Sequence, residues 1–284
     1  MRMPTDPAGA IHRRGGRSTM PTRDEPWSQG TPCWVDCQVD DPAAAREFYS
    51  ALFGWDIQDA GAGGYLMAML DGRPAAGIGP KPDGMGQMPS VWTTYFAADR
   101  ADAIAERVAT AGGQVFVPPF DVLDVGRMFV AADPTGGAFG VWEAKRHIGA
   151  GVFNQHGAYC WNELHTPGYD QAHEFYNSVF GWNYTEIGDG VNFTYSTFSL
   201  PGDKHEVGGM MDASALGNPP YWLTWIQVDD ADGTLGTATG LGATVIMGPD
   251  DSPFGRMGIL RAPQGEVLGV IDPAAAVGEV PTGA

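Results

Sequence analysis

Basic residues are scarce: 16 Lys and Arg stand against 34 Asp and Glu, for a formal net charge of −18. A chain this acidic offers no basic patch for nucleic acid or an anionic membrane surface, so neither is expected as a partner. A cationic ligand is compatible with it, although acid excess also serves plain solubility. Cysteine is nearly missing. Cys33, Cys37 and Cys160 make neither an even disulfide framework nor a CxxC, and no Cys/His cluster adjoins them in sequence. They are expected to be small, unpaired side chains on strands of a protein from a reducing, cytoplasmic compartment. No apolar run approaches the ~20 residues of a membrane-spanning helix. No Ser, Thr or Cys sits in a nucleophile motif. Gly61-Ala62-Gly63-Gly64 is not followed by a helical pattern, which excludes a phosphate loop. What is present is 43% hydrophobic and 18% charged residues over 284 positions, enough for two domains with their own cores.

Residues 1–29, rich in Arg, Gly and Pro, read as a disordered tail. Arg13-Arg14 is not followed by the apolar stretch of an export signal. Met20, which opens a polar run into the first strand, is a candidate start.

The dominant signal is self-similarity. CWVDCQVDDPAAAREFYSALFGW (33–55) returns as CWNELHTPGYDQAHEFYNSVFGW (160–182), with Cys-Trp, Glu-Phe-Tyr and Phe-Gly-Trp all displaced by 127 residues. Downstream, Trp92 matches Trp222, and Gly126-Arg127-Met128 matches Gly255-Arg256-Met257, at offsets of 130 and 129. Asp-Pro-Thr-Gly at 133–136 corresponds to Ala-Pro-Gln-Gly at 262–265. Each copy opens with an alternating strand (33–39 in the first), then Asp41-Pro42 as N-cap and N1 of a helix closed by Gly54. A hairpin around Asp71-Gly72 joins strands at 65–70 and 75–80. The plan then restarts with a strand at 91–98, a helix at 99–111 stopped by Gly112-Gly113, and strands near 114–118, 127–132 and 138–143. Arg127 and Arg256 recur at a strand start and are expected to make matching structural ion pairs. His147 and His156 fall between the copies and read as solvated.

A strand followed by Asp-Pro-x-x-x-x-x-Phe-Tyr-x-x-Leu-Phe-Gly-Trp, and a late Asp-Pro-x-Gly turn before a final strand, resembles the glyoxalase / bleomycin-resistance / dioxygenase superfamily of vicinal-oxygen-chelate proteins. The resemblance covers about 31–273. More narrowly, the Trp-Val-Asp and Trp-Asn-Glu-Leu strand starts, and GRMFVAADPTG followed by VWEAKRHIGA, are similar to tandem glyoxalase-like proteins of actinomycetes. Those include a mycobacterial culture-filtrate antigen and accessory proteins of anthracycline biosynthesis. The implied fold is α+β: four βαβββ modules forming two tandem domains with curled half-barrel sheets. The expected layout is a tail at 1–29, domain one at 30–146, a linker at 147–156, domain two at 157–273 and a tail at 274–284.

Metal-dependent members of this family carry His, Gln or Glu on the inner face of the half-barrel. The resemblance maps those positions to Trp34 and Trp161 on the first strands, Thr93 and Leu223 on the strands opening the second modules, and Gly140 and Gly269 on the last strands. This set cannot hold a divalent cation, so no metal and no cofactor is expected. Strand alternation puts Trp34, Asp36, Gln38, Thr93, Tyr95, Ala138 and Trp142 on one inner face. It puts Trp161, Glu163, His165, Leu223, Trp225, Val267 and Ile271 on the other. The expected ligand-binding residues are Trp34, Asp36, Gln38, Thr93, Tyr95, Trp142, Trp161, Glu163, His165 and Trp225. An aromatic cup with a few carboxylates suits a flat aromatic ligand with a cationic or hydroxyl group. Core packing alone accounts for inward Trp residues equally well. Three functions fit. One is metal-independent binding or sequestration of an aromatic natural product, by a monomer or homodimer. Another is a lyase, isomerase or hydroxylase that uses Asp36, Glu163 or His165 as acid or base, or a displaced metal site. The last is a surface antigen with a protein partner, disfavoured by the lack of a signal peptide.

Overall fold

In the computed structural model, residues 21–61, 63–82, 84, 86, 88–188 and 193–280 are described. The first module runs β1 (Pro32–Val39), α1 (Pro42–Phe53), β2 (Asp56–Asp59), β3 (Leu66–Leu70) and β4 (Arg73–Pro80). The second runs β5 (Val91–Ala97), α2 (Ala101–Thr110), β6 (Gln114–Val122), β7 (Gly126–Ala132) and β8 (Ala138–Ala144). The third has β9 (Tyr159–Thr166), α3 (Tyr169–Phe180), β10 (Asn183–Glu186), β11 (Tyr195–Ser199) and β12 (Glu206–Asp212). The fourth has β13 (Tyr221–Gln227), α4 (Ala231–Gly240), β14 (Thr244–Ser252), β15 (Gly255–Arg261) and β16 (Val267–Asp272). Each copy makes one unclosed eight-stranded sheet, in the order β2-β3-β4-β1-β5-β8-β7-β6 and its counterpart β10-β11-β12-β9-β13-β16-β15-β14. Four βαβββ modules in two curled α+β sheets is therefore the architecture.

Local chemistry explains the helix ends. Asp41 accepts from the Ala43 and Ala44 amides at 2.9 and 3.1 Å, and Pro42 follows it. Gly54 and Gly181 close α1 and α3 at φ 69° and 77°, left-handed values that cost a side chain dearly. The matched arginines pair with the acid at the start of the preceding helix, Arg127 with Asp102 and Arg256 with Asp232. All three cysteines are free.

The helices lie on one side of each sheet and pack as pairs across the copies, α1 with α4 and α2 with α3, while β5 touches β13. The apolar cores consequently cross the repeat: one cluster joins the first module to the fourth, another the second to the third. Polar contacts follow the same pseudo-twofold. Trp55 Nε1 donates to the Gly157 carbonyl at 2.6 Å, and Trp182 Nε1 to the Gly30 carbonyl at 3.0 Å. Near the axis Asn162 Oδ1 accepts from both Thr94 and Thr224, at 2.9 and 3.0 Å.

Two sequence expectations need correction. Residues 21–29, assigned to a disordered tail, are bound down: Thr22 bridges Val152, and Trp27 packs edge-on to Phe153 and donates to the Ala150 carbonyl. Residues 1–20, including Met20 and Arg13-Arg14, lie outside the described residues. His147 is not solvated. It turns back from the end of β8 into the first half-barrel, where burial pushes its pKa down to about 4. His156 is exposed beside Asp229, as expected. Among the described residues no helix is long and apolar enough to cross a membrane.

Candidate functional site

The sheet faces opposite the helices form the two half-barrel interiors. Strand alternation drives Cys33, Val35 and Cys37 toward α1 and leaves Trp34, Asp36 and Gln38 inside. Across β1 and β5 the pairs are Trp34 with Tyr95 and Asp36 with Thr93. In the second copy they are Trp161 with Trp225, Glu163 with Leu223 and His165 with Tyr221.

One arrangement is built twice. Trp34 Nε1 donates to Tyr65 Oη at 3.0 Å, and Tyr65 Oη donates to Asp36 Oδ2 at 3.3 Å. Likewise Trp161 Nε1 donates to Tyr195 Oη at 2.8 Å, and Tyr195 Oη donates to Glu163 Oε2 at 2.7 Å. Each carboxylate faces a glycine on the parallel neighbouring strand, Asp36 opposite Gly77 and Glu163 opposite Gly209. A Cβ on either glycine would collide with the tyrosine hydroxyl, so the bare backbone lets the phenol reach the acid. Tyr65 and Tyr195 escaped the sequence reading. Their shared offset of 130, beside glycine-rich strands, was the available signal.

Beyond this shared chain the copies diverge. In the first, Tyr95 Oη adds a second bond to Asp36 Oδ2 at 3.0 Å, while Asp36 Oδ1 is buried without a partner. Burial without a cation raises the Asp36 pKa to about 7, with the Tyr95 and Tyr65 hydrogen bonds acting against it. The centre of this half-barrel is full. His147 stands edge-on to Trp34 with centroids 4.6 Å apart, lies 5.4 Å from Trp142, and its carbonyl accepts Trp142 Nε1 at 2.8 Å. Trp34, Tyr95 and Trp142 are 3%, 2% and 6% exposed, so in the first copy they are core rather than open stacking surface. Thr93 and Gln38 stay partly exposed. The room that remains is a pocket of about 340 Å³ to one side, bounded by Asp36, Gln38, Tyr65, Gly79 and Lys81.

In the second copy Glu163 Oε1 is 2.7 Å from His165 Nε2, and His165 Nδ1 is 3.2 Å from Tyr221 Oη. Burial acts to raise the Glu163 pKa, but His165, Tyr195 and Trp225 outweigh it and hold the carboxyl below its ordinary value. The segment after β16 places Ala276 where the first copy has His147, and it runs beside β14 instead, with the Val277 amide on the Ser252 carbonyl. Trp161, Tyr221, Phe254 and Met257 remain half-buried around the inner cluster of Leu223, Trp225, Ile259 and Ile271. Trp161 is thus half-buried where its counterpart Trp34 is buried.

The family's metal positions can now be judged by their donors. Trp34 and Trp161 are committed to tyrosine hydroxyls, Leu223 has no donor, and Thr93 stands alone. Gly140 and Gly269 are bare because Tyr95 and Trp225 lie across them, and a Cβ there would overlap those rings. Among the described residues no three His, Cys, Asp or Glu come together to hold a metal ion. The residues present do not fit the divalent cation of the family.

The inverse titration of Asp36 is measurable. Its folded pKa of about 7 lies above the unfolded value near 3.9, so its contribution is fully present below about pH 4 and is lost as pH rises to about 7. The span corresponds to roughly 4 kcal/mol. Asp36→Asn is expected to remove this decline and to gain stability over wild type as pH rises from 5 to 8. Urea unfolding at several pH values checks this; parallel stability–pH curves for the two proteins would refute it.

A half-barrel of paired βαβββ modules, with the chelate positions recognisable though refilled, is the vicinal-oxygen-chelate design. The chain belongs to the Glyoxalase/Bleomycin resistance protein/Dioxygenase superfamily, which matches residues 33–141 and again 161–270. It is 44% identical over 263 residues to "Putative glyoxylase CFP32" of Mycobacterium tuberculosis, covering 90% of this chain and 99% of the relative. It is 38% identical over 275 residues to the anthracycline biosynthesis protein DnrV of Streptomyces peucetius, covering 89% and 98%. The fold is shared with a Mn(II)-bound glyoxalase from Novosphingobium aromaticivorans, with a TM-score of 0.59 at 17% identity, over 90% of this chain and 89% of that one.

Proposed function

We propose that the protein binds a small hydroxylated aromatic molecule in its second half-barrel without using a metal ion. The observation that carries this reading is the Trp–Tyr–carboxylate chain, which in both copies starts from the tryptophan that the family resemblance maps to a metal-ligand position. Such a chain presents a fixed acceptor beside an indole, which suits a ring bearing hydroxyl or ammonium donors. Half-buried Trp161, Tyr221 and Phe254 supply flat or apolar surface around it. The names of the Streptomyces relatives point to aromatic polyketides as the ligand class. The net charge of −18 is compatible with an amine-bearing example. We place this activity in the cytoplasm, in a monomer or homodimer.

Titration with a dihydroxyanthraquinone, followed by calorimetry, tests the reading. Wild type should bind it in chelator-treated buffer. Trp161→Ala should weaken binding about tenfold, equivalent to roughly 1.4 kcal/mol. Failure of a broad panel of hydroxylated polycyclic aromatics to bind would overturn it.

A further inference from the structure

The same acid is satisfied differently in the two copies. In the second, Glu163 Oε2 accepts from Tyr195, and Oε1 lies 2.7 Å from a ring nitrogen of His165, two residues along β9. In the first, Asp36 Oδ2 takes both phenols, Tyr95 at 3.0 Å and Tyr65 at 3.3 Å. Gln38 stands where the repeat has His165, at the offset of 127, and it does not reach Asp36 Oδ1. That oxygen is buried with no partner among the described residues. A buried carboxylate oxygen with neither a donor nor a cation is costly, and the cost shows in the Asp36 carboxyl, pushed up to about 7. Asp36 is 5% exposed and forms part of the wall of the pocket of about 340 Å³ beside β1 and β4. Trp34, Thr93 and Gly140, the positions that the resemblance maps to metal ligands, do not line this pocket. Lys81 does line it, but its Nζ is held by Asp40 at 2.7 Å.

We infer that this side pocket of the first half-barrel binds a small organic ammonium ion, whose N–H groups pair with Asp36 Oδ1. The site is separate from the one proposed for the aromatic ligand in the second half-barrel and does not depend on it. The ammonium does for Asp36 what the imidazole of His165 does for Glu163: it sets a nitrogen against the second carboxylate oxygen. With Oδ2 occupied by two phenols, Oδ1 is the acceptor that Asp36 offers to the pocket. A charge-assisted bond to a buried carboxylate is about twice as strong as a neutral one, which favours a cation over an alcohol or amide. The rest of the wall suits the hydrocarbon part of such an ion. The Tyr65 ring lies over Gly77 and Gly79, where a Cβ would meet its atoms, and it stays half-buried. Its face attracts a cation, and Pro80 and Pro82 border the pocket beyond it. Gly77 and Gly79 are thus what makes room for the ring that both holds Asp36 and walls the site.

Calorimetric titration of the full chain with benzylamine tests this, at pH 8, where the carboxyl is ionised, and in about 0.2 M salt, which screens the general acidity of the surface. Wild type should bind one benzylamine per chain, at least about tenfold more tightly than benzyl alcohol. Asp36→Asn should weaken benzylamine binding at least about tenfold. Gln38→Lys, which supplies an ammonium group from the chain itself, should do the same while leaving Asp36 in place. Because it retains the acid, this variant reads the site even if Asp36→Asn does not fold. Equal affinity for benzyl alcohol, or wild-type benzylamine binding in either variant, would overturn the inference. So would no binding of benzylamine, or its displacement by dihydroxyanthraquinone, which would place both molecules in one site. Binding of dihydroxyanthraquinone alone reports on the second half-barrel, so the failure of one reading is distinguishable from the failure of the other.

Discussion

Trp182→Ala is expected to cost about 3–5 kcal/mol of stability, the range for emptying a large buried aromatic site. Trp182 is fully buried, stacks on Phe198 at 3.8 Å and on Tyr176 at 4.9 Å, and donates to the Gly30 carbonyl of the other copy at 3.0 Å. Its twin Trp55 donates to Gly157 but has looser ring neighbours, the nearest being Phe53 at 5.0 Å. Trp55→Ala should therefore destabilise in the same direction by less. Trp182→Phe keeps most of the stack and loses the hydrogen bond, for a cost nearer 1 kcal/mol. Urea unfolding followed by circular dichroism measures all three. Because the cores and these indole bonds cross the repeat, each variant should still unfold in one transition. A biphasic curve, with only half the signal shifted by Trp182→Ala, would show that the copies fold independently.

Restoring the family's last-strand ligand should fail. Gly269→Glu places a carboxylate where Trp225 lies across the strand, and Gly140→Glu does the same against Tyr95. Overpacking alone costs 1–3 kcal/mol, and a buried unpaired acid adds to it, so a loss of about 3 kcal/mol or more is expected. Gly269→Ala isolates the steric part. Combining it with Trp225→Ala should give less destabilisation than the two single changes added together, since the clash partner is gone. Additive losses measured by thermal or urea unfolding would mean that the glycine is bare for some other reason.

The fold was legible because the repeat anchored it. Phe48-Tyr49 and Phe53-Gly54-Trp55 recur unchanged at 175–176 and 180–182, and they fix α1, α3 and the first strands to the residue. Counting from those anchors placed Trp34, Asp36, Trp161, Glu163 and His165 on the inner faces, where the structure has them. What could not be read was which inner residues meet. Tyr65 and Tyr195 reach the carboxylates only because strands two places apart in the sheet are bridged across Gly77 and Gly209, a register that alternation does not specify. Tyr221 meets His165 through a cross-strand pairing of distant segments. His147 looked like a linker residue because it follows polar Lys145 and Arg146 in the segment between the copies. Its entry into the half-barrel depends on the turn held by the Val125 carbonyl, which accepts the Lys145 and His147 amides. The same reasoning mistook filled space for open space: Trp34 and Trp142 were expected to line a cup, and in the first copy they and His147 occupy it.

The proposed function requires that this chelate fold bind through hydrogen-bonded carboxylates instead of a chelated metal. Metal content is the direct test: protein expressed with zinc, manganese and iron supplied, analysed after purification, then melted and titrated with the dihydroxyanthraquinone with and without EDTA. The predicted result is far less than one ion per chain, with melting temperature and affinity unchanged by the chelator. A stoichiometric ion in either half-barrel, whose removal lowers the melting temperature or abolishes binding, would contradict it.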